Sequence, residues 1–347
     1  MRKQVRRNLN LGFIKINLYK NIFPVKEEEK KKQEEENKRN EREKEILENL
    51  EKWKKEILPN WDEKKNNGIL REFCLKGVPP SLRGIVWPLM IGNKLRISKE
   101  SFEMLCKKSK EELLKMKEEK NKVETVNLIP VDIGRTFPQL GFFQEGGPSH
   151  EQLHNILHAF VCFRPNVGYI QGMSFIAAHL LLQMDPDFAF CCMVNLLDES
   201  IFYSFYTFNM VNIRKYCLVF EELLKIHLPT VDKHFEELQI KSDMYLIDWI
   251  MTIFTKSLPL EIVGRIWDIY LIEKDSIIYQ TALTILSYRK EFLSEGEFEG
   301  ILKYLNRPST FQMWENNFFD LMNQIPISPS IIKQSYSKYN LKVAFCK

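Results

Sequence analysis

Gly168-Tyr-Ile-Gln-Gly-Met-Ser-Phe-Ile-Ala-Ala-His-Leu-Leu-Leu182 is the stretch on which the architecture of this chain turns. Two glycines flank a three-residue segment, Tyr169 to Gln171, where they let the backbone bend tightly and approach a ligand closely. Ser174 follows as a suitable N-terminal residue for a helix. Phe175 to Leu182 then reads as an apolar helix interrupted only by His179. The same alternation of breaker and apolar helical stripe runs outward in both directions. Phe102-Glu-Met-Leu105, Leu153-Ile156-Leu157-Phe160, Phe188 to Leu197, Tyr216 to Ile226, Met244 to Phe254, Ile262 to Leu271 and Leu283 to Tyr288 all have helical spacing. Gly146-Gly-Pro148, Pro165-Asn166, Asp185-Pro186, Pro229 and Pro259 separate them. Few runs alternate with period two, so the expected fold class is all-α.

The chain has 347 residues, 44% of them hydrophobic and 12% aromatic, enough for one large folded region. Its net charge of +4 comes from 50 basic and 46 acidic residues, a balance that does not call for a nucleic-acid partner. No basic-aromatic RNA motif occurs either. Seven cysteines without a CxxC spacing read as reduced thiols. No apolar run reaches the ~20 residues of a membrane span. Residues 1–26 carry Arg2, Lys3, Arg6, Arg7, Lys15, Lys20 and Lys26 and no acid, interspersed with apolar residues. This segment reads as a disordered tail, a contact with anionic lipid or a partner, or a targeting segment. Residues 27–45 are almost wholly charged or amide side chains, a linker or a solvated helix. From Ile46 an apolar stripe begins (Ile46, Leu47, Leu50, Trp53, Ile57), and Pro59 ends it. The expected organisation is a tail at 1–45, a folded domain at 46–320 and a C-terminal helical extension or tail at 321–347. Lys107 to Lys122 reads as an exposed charged helix or loop.

The second informative stretch is Ile129-Pro-Val-Asp-Ile-Gly-Arg135. Pro138 disfavours continuing a helix through the residue before it, which leaves Arg135 near a helix end where it can project. Asp132 lies three residues earlier, on the same face of a helical turn. An arginine and a glutamine make a poor kit for breaking bonds unaided, because neither is a nucleophile or a general base. They suit the stabilisation of a phosphoryl transfer performed elsewhere. A guanidinium donates to two oxygens at once and does not deprotonate. A neutral amide accepts from a water and donates to a phosphate oxygen. No GxxxxGK[ST] phosphate loop and no GxSxG occurs, so the chain itself is not expected to bind or hydrolyse GTP.

These residues, taken in order, resemble a TBC domain, the catalytic domain of Rab GTPase-activating proteins. Ser81-Leu-Arg83-Gly-Ile-Val-Trp87 is similar to the family's first signature, Ile129 to Arg135 to its IxxDxxR motif, and Tyr169 to Met173 to its YxQGM motif. Arg265-Ile-Trp267-Asp268 is similar to a late helix of the family, and the likeness runs from residue 46 to residue 320. Ile57-Leu-Pro-Asn-Trp61, Arg135-Thr-Phe-Pro138, Gly172-Met-Ser-Phe-Ile-Ala177 and Tyr245-Leu-Ile-Asp-Trp249 resemble a subgroup associated with autophagy and recycling-endosome traffic. The resemblance implies an all-helical domain of two lobes with a groove between them. It implies that Arg135 is an arginine finger and that Gln171 is a glutamine finger acting in place of the partner's own. Asp132, Tyr169, Gly172 and Met173 would support them. Arg83 and Trp87, at i and i+4, suit a guanidinium stacked on an indole, a mainly structural pair. Trp249, Trp267 and Asp268 read as core groups. The implied partner is a Rab-family small GTPase in its GTP form. GTP and Mg²⁺ belong to that partner, so no cofactor is expected here. The implied location is the cytoplasm, peripheral on endomembranes such as endosomes or autophagic membranes. The alternative within the family is a Rab-GTP effector or scaffold with little catalytic activity.

One further motif competes with this reading. His150-Glu-Gln-Leu-His154 fits HExxH, and His158 adds a third histidine on the same helical face. Against a zinc site, the segment directly follows Gly146-Gly-Pro148 with Ser149 as the expected N-cap. That would place His150 in a frayed first turn.

Overall fold

A computed structural model describes residues 44–65, 68–119, 126–306 and 315–341. The basic segment 1–26 and nearly all of the charged segment 27–45 lie outside them. Among the described residues the fold is helical and contains no strand. A first helix, α1 (44–52), tightens into a π-helical turn at Trp53–Ile57 and a 3₁₀ turn at Leu58–Asn60 that contains Pro59. There follow α2 (Gly68–Lys76), α3 (Pro80–Ile91), α4 (Lys99–Glu119), α5 (Leu128–Gly134), α6 (His150–Phe163), α7 (Met173–Leu181), α8 (Pro186–Leu197) and α9 (Ser200–Tyr206). The second half comprises α10 (Met210–His227), α11 (Pro229–Glu237), α12 (Asp243–Met251), α13 (Leu260–Glu273), α14 (Asp275–Tyr288), α15 (Lys290–Glu295), α16 (Phe298–Asn306), α17 (Glu315–Asn323) and α18 (Pro329–Lys338).

Two of the prolines foreseen as breakers, Pro186 and Pro229, act as starters, and so do Pro80 and Pro329. Each occupies the first turn of a helix, where the missing N–H is no loss. Asn209 and Ser328 cap α10 and α18 through their side chains.

The helices form two groups. In the first, α5, α6 and α8 pack against α7, every residue of which is buried, and α4 packs on α6 and α8. In the second, α10, α13, α17 and α18 pack around α14. Helix α13 also lies against α2 and α3, and α9 against α10 and α12, which joins the groups. One large apolar core runs through both, and Leu50, Trp53, Ile57, Leu70, Cys74, Val78, Leu82 and Val86 form a smaller one at the N-terminal edge. The position expected to end the domain, residue 320, falls within α17, and Ile332 and Tyr336 of α18 are buried in the large core. No single described helix is long and apolar enough to cross a membrane. Helices α8 and α9 together reach the length but bend by 89°.

Two local expectations change. The apolar helix after Gln171 begins at Met173 with Gly172 as its cap, so Ser174 is already inside it. The stripe from Met244 leaves the helix at Met251, because Ile253 and Phe254 both take positive φ, +45° and +60°. Two buried bulky residues in that region are strained, and such strain persists only where the surroundings enforce it. The carbonyl of Ile253 accepts from Trp267 Nε1 at 3.2 Å, and the N–H of Phe254 returns to the Trp249 carbonyl at 2.9 Å.

Candidate functional site

Helix α5 is short and amphipathic. Ile129 and Ile133 are fully buried and fix its inner face. Arg135 is its C-terminal cap, with φ −104° and ψ 2°. The chain does not continue helically, because Pro138 opens a 3₁₀ turn and disfavours a right-handed helical conformation at Phe137, which takes φ +45° instead. Phe137 is held there edge-on to Phe175 of α7, ring centroids 5.4 Å apart. The stop leaves the Arg135 side chain 48% exposed at the helix end while Asp132 stays buried beneath it.

The second motif arrives at the same place from the other side. Gly172 has φ +102°, a conformation an L side chain adopts only with strain. A Cβ there would stand 3.1 Å from Thr252 Cγ2 on the strained turn after α12. Thr252 thus braces the loop from the second group of helices. Met173 is fully buried, and its sulfur accepts from the Ile170 N–H at 3.4 Å, closing the loop around the outward-pointing Gln171.

Asp132 joins the two motifs. Its Oδ2 accepts from Tyr169 Oη at 2.5 Å and from the Gly172 N–H at 3.2 Å, while its Oδ1 pairs with Arg135 Nη2. Burial and the adjacent carboxylate push the Tyr169 phenol well above its usual range, so it remains a donor. The Gln171 amide, turned so that both groups have partners, directs its oxygen at the guanidinium and accepts from Arg135 Nη1 at 3.1 Å and also from Nη2. Arg135 and Gln171 are therefore side by side, and both are exposed. Thr136, next to Arg135 and fully buried, donates from Oγ1 to the Asp132 carbonyl at 2.6 Å and lies 2.9 Å from Ser174 Oγ. Neither Thr136 nor Thr252 falls within the arginine or glutamine motif. Thr136 carries a local signal in its place beside the arginine, and Thr252 carries none.

Arg83 and Trp87 sit in a separate buried cluster. Asp268 on α13 is fully buried and receives Arg83 Nη2 at 2.8 Å, Arg83 Nε at 3.2 Å, Trp87 Nε1 at 2.8 Å and the Val78 N–H at 2.9 Å. Desolvation raises the Asp268 carboxyl even so, against the opposing pull of Arg83. Arg83 also lies 5.7 Å from the Trp87 ring centroid, but the shared carboxylate is the stronger link. Gly264 makes room for it, since a Cβ there would be 2.2 Å from Arg83 Nη1. Trp87 and Trp267 stack at 5.3 Å, and His179 of α7 packs against both. Burial drives His179 down to about 3, so it is a neutral core ring. The helix that carries the Gln171 loop is thus anchored on this cluster at its other end.

The HExxH segment forms α6, which begins at His150 as expected, although Ser149 makes no side-chain cap. His150 Nδ1 is engaged with the Phe143 carbonyl at 2.8 Å. His154 and His158 stack at 4.1 Å, and burial lowers His158 to about 4. Among the described residues no three His, Cys, Asp or Glu side chains are grouped to hold a metal. Nor is any described thiol an activated nucleophile, since burial raises all six, Cys106 to about 11 and Cys162 to about 12. What the site presents is a guanidinium and an amide, held together on a rigid base and open to a partner.

The helical architecture and the motifs on it are those of the TBC class of domain. The model of the Rab-GTPase-TBC domain family matches residues 80–294, and the chain belongs to that family. It is 39% identical to TBC1 domain family member 14 of Homo sapiens over 268 residues, covering 74% of this chain and 39% of that protein. TBC1 domain family member 12 of Xenopus tropicalis gives the same figures, 39% over 268 residues, 74% and 39%. Drainin of Dictyostelium discoideum is 31% identical over 320 residues, covering 79% of this chain and 73% of that protein. The chain thus spans about two fifths of the length of the first two relatives. The fold matches the Chlamydomonas flagellar RabGAP TBC domain with a TM-score of 0.65 at 22% identity, over 81% of this chain and 93% of the other. It matches the Ypt/Rab-GAP domain of Gyp1p with a TM-score of 0.62 at 20% identity, over 84% and 99%.

Proposed function

We propose that this chain accelerates GTP hydrolysis on a Rab-family small GTPase by presenting Arg135 and Gln171 together to the partner's nucleotide. The observation that supports this reading is the contact between the two side chains, which come from separate elements and share Asp132 as their base. In a Rab carrying GTP and Mg²⁺, charge develops on the γ-phosphoryl oxygens and the leaving oxygen. Arg135 exchanges Asp132 and Gln171 for those oxygens; its own side chain is half-exposed, and the buried Asp132 it leaves keeps Tyr169 Oη and the Gly172 N–H as donors. Gln171, released from the guanidinium, orients the attacking water in place of the partner's own glutamine. An arginine supplied from outside contributes roughly 10³–10⁵ in rate. Nucleotide and metal both belong to the partner. The setting we infer is the cytoplasmic face of endomembranes, in vesicle transport and autophagy, a reading supported by the resemblance of Arg135–Pro138, Gly172–Ala177 and Tyr245–Trp249 to the subgroup named above.

The test is GTP hydrolysis across a panel of GTP-loaded Rabs, followed by replacement of the stimulated Rab's own catalytic glutamine. Stimulation that survives the replacement and is lost with Gln171→Ala supports the mechanism. A Rab that binds in its GTP form without faster turnover would instead show an effector or scaffold.

A further inference from the structure

We infer that Thr136 and Ser174 are positioning residues for the two fingers, a buried hydroxyl pair that fixes the spacing between Arg135 and Gln171 while the partner is engaged. The inference rests on the two-finger reading and adds residues that the motifs leave out.

In the unbound chain the Asp132 carboxylate ties the motifs together by holding Arg135 through one oxygen and Tyr169 and Gly172 through the other. Once Arg135 turns to a phosphate, the ion pair is gone, and neither finger side chain holds the other. Ties that do not pass through the guanidinium must then keep the two backbones in register, and the bonds of Asp132 Oδ2 to Tyr169 and the Gly172 N–H are one of them. Thr136 Oγ1 and Ser174 Oγ, 2.9 Å apart, provide another. Thr136 adjoins Arg135 at the end of α5. Ser174 is three residues beyond Gln171 in the first turn of α7, and both are fully buried. Thr136 also holds the last turn of α5 through the Asp132 carbonyl at 2.6 Å. Neither hydroxyl is exposed to a partner, so neither can act by touching it.

The test uses Thr136→Val, Thr136→Ser, Ser174→Ala and the double variant Thr136→Val/Ser174→Ala, with a Rab on which Arg135→Ala abolishes stimulation. Stimulated kcat should fall about tenfold or more in Thr136→Val and Ser174→Ala, the scale set by sub-ångström misplacement of catalytic groups, with the half-saturating concentration unchanged within about twofold. Thr136→Ser should restore kcat, and the double variant should be no worse than the weaker single, because one contact is being removed twice. A raised half-saturation at unchanged kcat, fully additive losses, or wild-type kcat in Thr136→Val would overturn the inference. Hydrogen exchange reads the tie without any partner. Amides of 168–175 should exchange faster in Thr136→Val than in Thr136→Ser, and equal exchange would refute the tie. If no Rab is stimulated by the wild type, the two-finger reading fails while this exchange result still decides whether the tie exists.

Discussion

Replacing Arg83 by methionine separates a structural residue from a catalytic one. The substitution keeps an apolar stem of similar length and removes the guanidinium. Asp268, fully buried, then keeps only Trp87 Nε1 and the Val78 N–H as donors. Removing one partner of a buried ion pair costs about 3–5 kcal/mol, because the remaining charge is desolvated without compensation. At ~2–4 °C per kcal/mol, the scale for domains of 150–250 residues, the melting midpoint should fall by about 10 °C. The loss should also depend on pH. Desolvation already raises the Asp268 carboxyl while Arg83 opposes it, so without Arg83 it rises further. A carboxyl raised in the folded state contributes stability that is present below its unfolded value and lost as pH rises through its folded value. Arg83→Met should therefore lose less stability at pH 5 than at pH 8. Well below the lowered midpoint, stimulated GTP hydrolysis should be unchanged within about twofold, since no atom of Arg83 reaches the fingers and the contacts that position them run through Asp132, not Asp268. Calorimetry together with single-turnover hydrolysis checks both halves. An unchanged midpoint with a tenfold loss of rate would refute the structural assignment.

Two further outcomes follow from single positions. Gly172→Ala meets both φ +102° and Thr252 Cγ2 at 3.1 Å, so the loop must shift and stimulated kcat should drop. Adding Thr252→Ser should recover only the steric part, leaving a backbone cost of about 1–3 kcal/mol, and full recovery would contradict the assignment of strain to φ. Asp275 at the start of α14 is buried, bonds Tyr336 of α18 at 2.9 Å, and is raised by desolvation from 3.8 to about 6. Its contribution is present below pH 3.8 and is lost as pH rises through about 6, worth on the order of 3 kcal/mol across that window at 1.36 kcal/mol per unit. The stability of wild type relative to Asp275→Asn should fall between pH 4 and 7, and parallel pH profiles for the two proteins would contradict this.

Local chemistry made much of this molecule readable in its sequence. Helical spacing and proline placement revealed the helices because they act within a few residues. The Asp132–Arg135 pair was readable for the same reason, as one helical turn brings i and i+3 together. What depends on packing between distant segments was not. Asp268 gave no sign that it would collect Arg83, Trp87 and Val78, because the α3–α13 contact that assembles them is set by the whole core. The end of α12 was overrun because Ile253 and Phe254 are apolar at helical spacing, while their positive φ is imposed by the turn that braces Gly172. Ser174 suited a helix cap by residue type, yet its hydroxyl is turned inward to Thr136 because α5 lies directly behind α7. The direct meeting of Arg135 with Gln171 likewise waits on α5 and α7 packing together.

The central claim is that Arg135 stabilises the transition state of a partner's GTP hydrolysis. Its most direct test is the single-turnover rate of a stimulated Rab at saturating wild-type protein against Arg135→Ala and Arg135→Lys. The account predicts a fall of roughly 10³-fold or more for alanine. Lysine should leave most of that loss, since a point charge cannot fork to two oxygens. Binding of the GTP-loaded Rab should persist in both variants. A stimulated rate within threefold of wild type for Arg135→Ala, with binding intact, would contradict it.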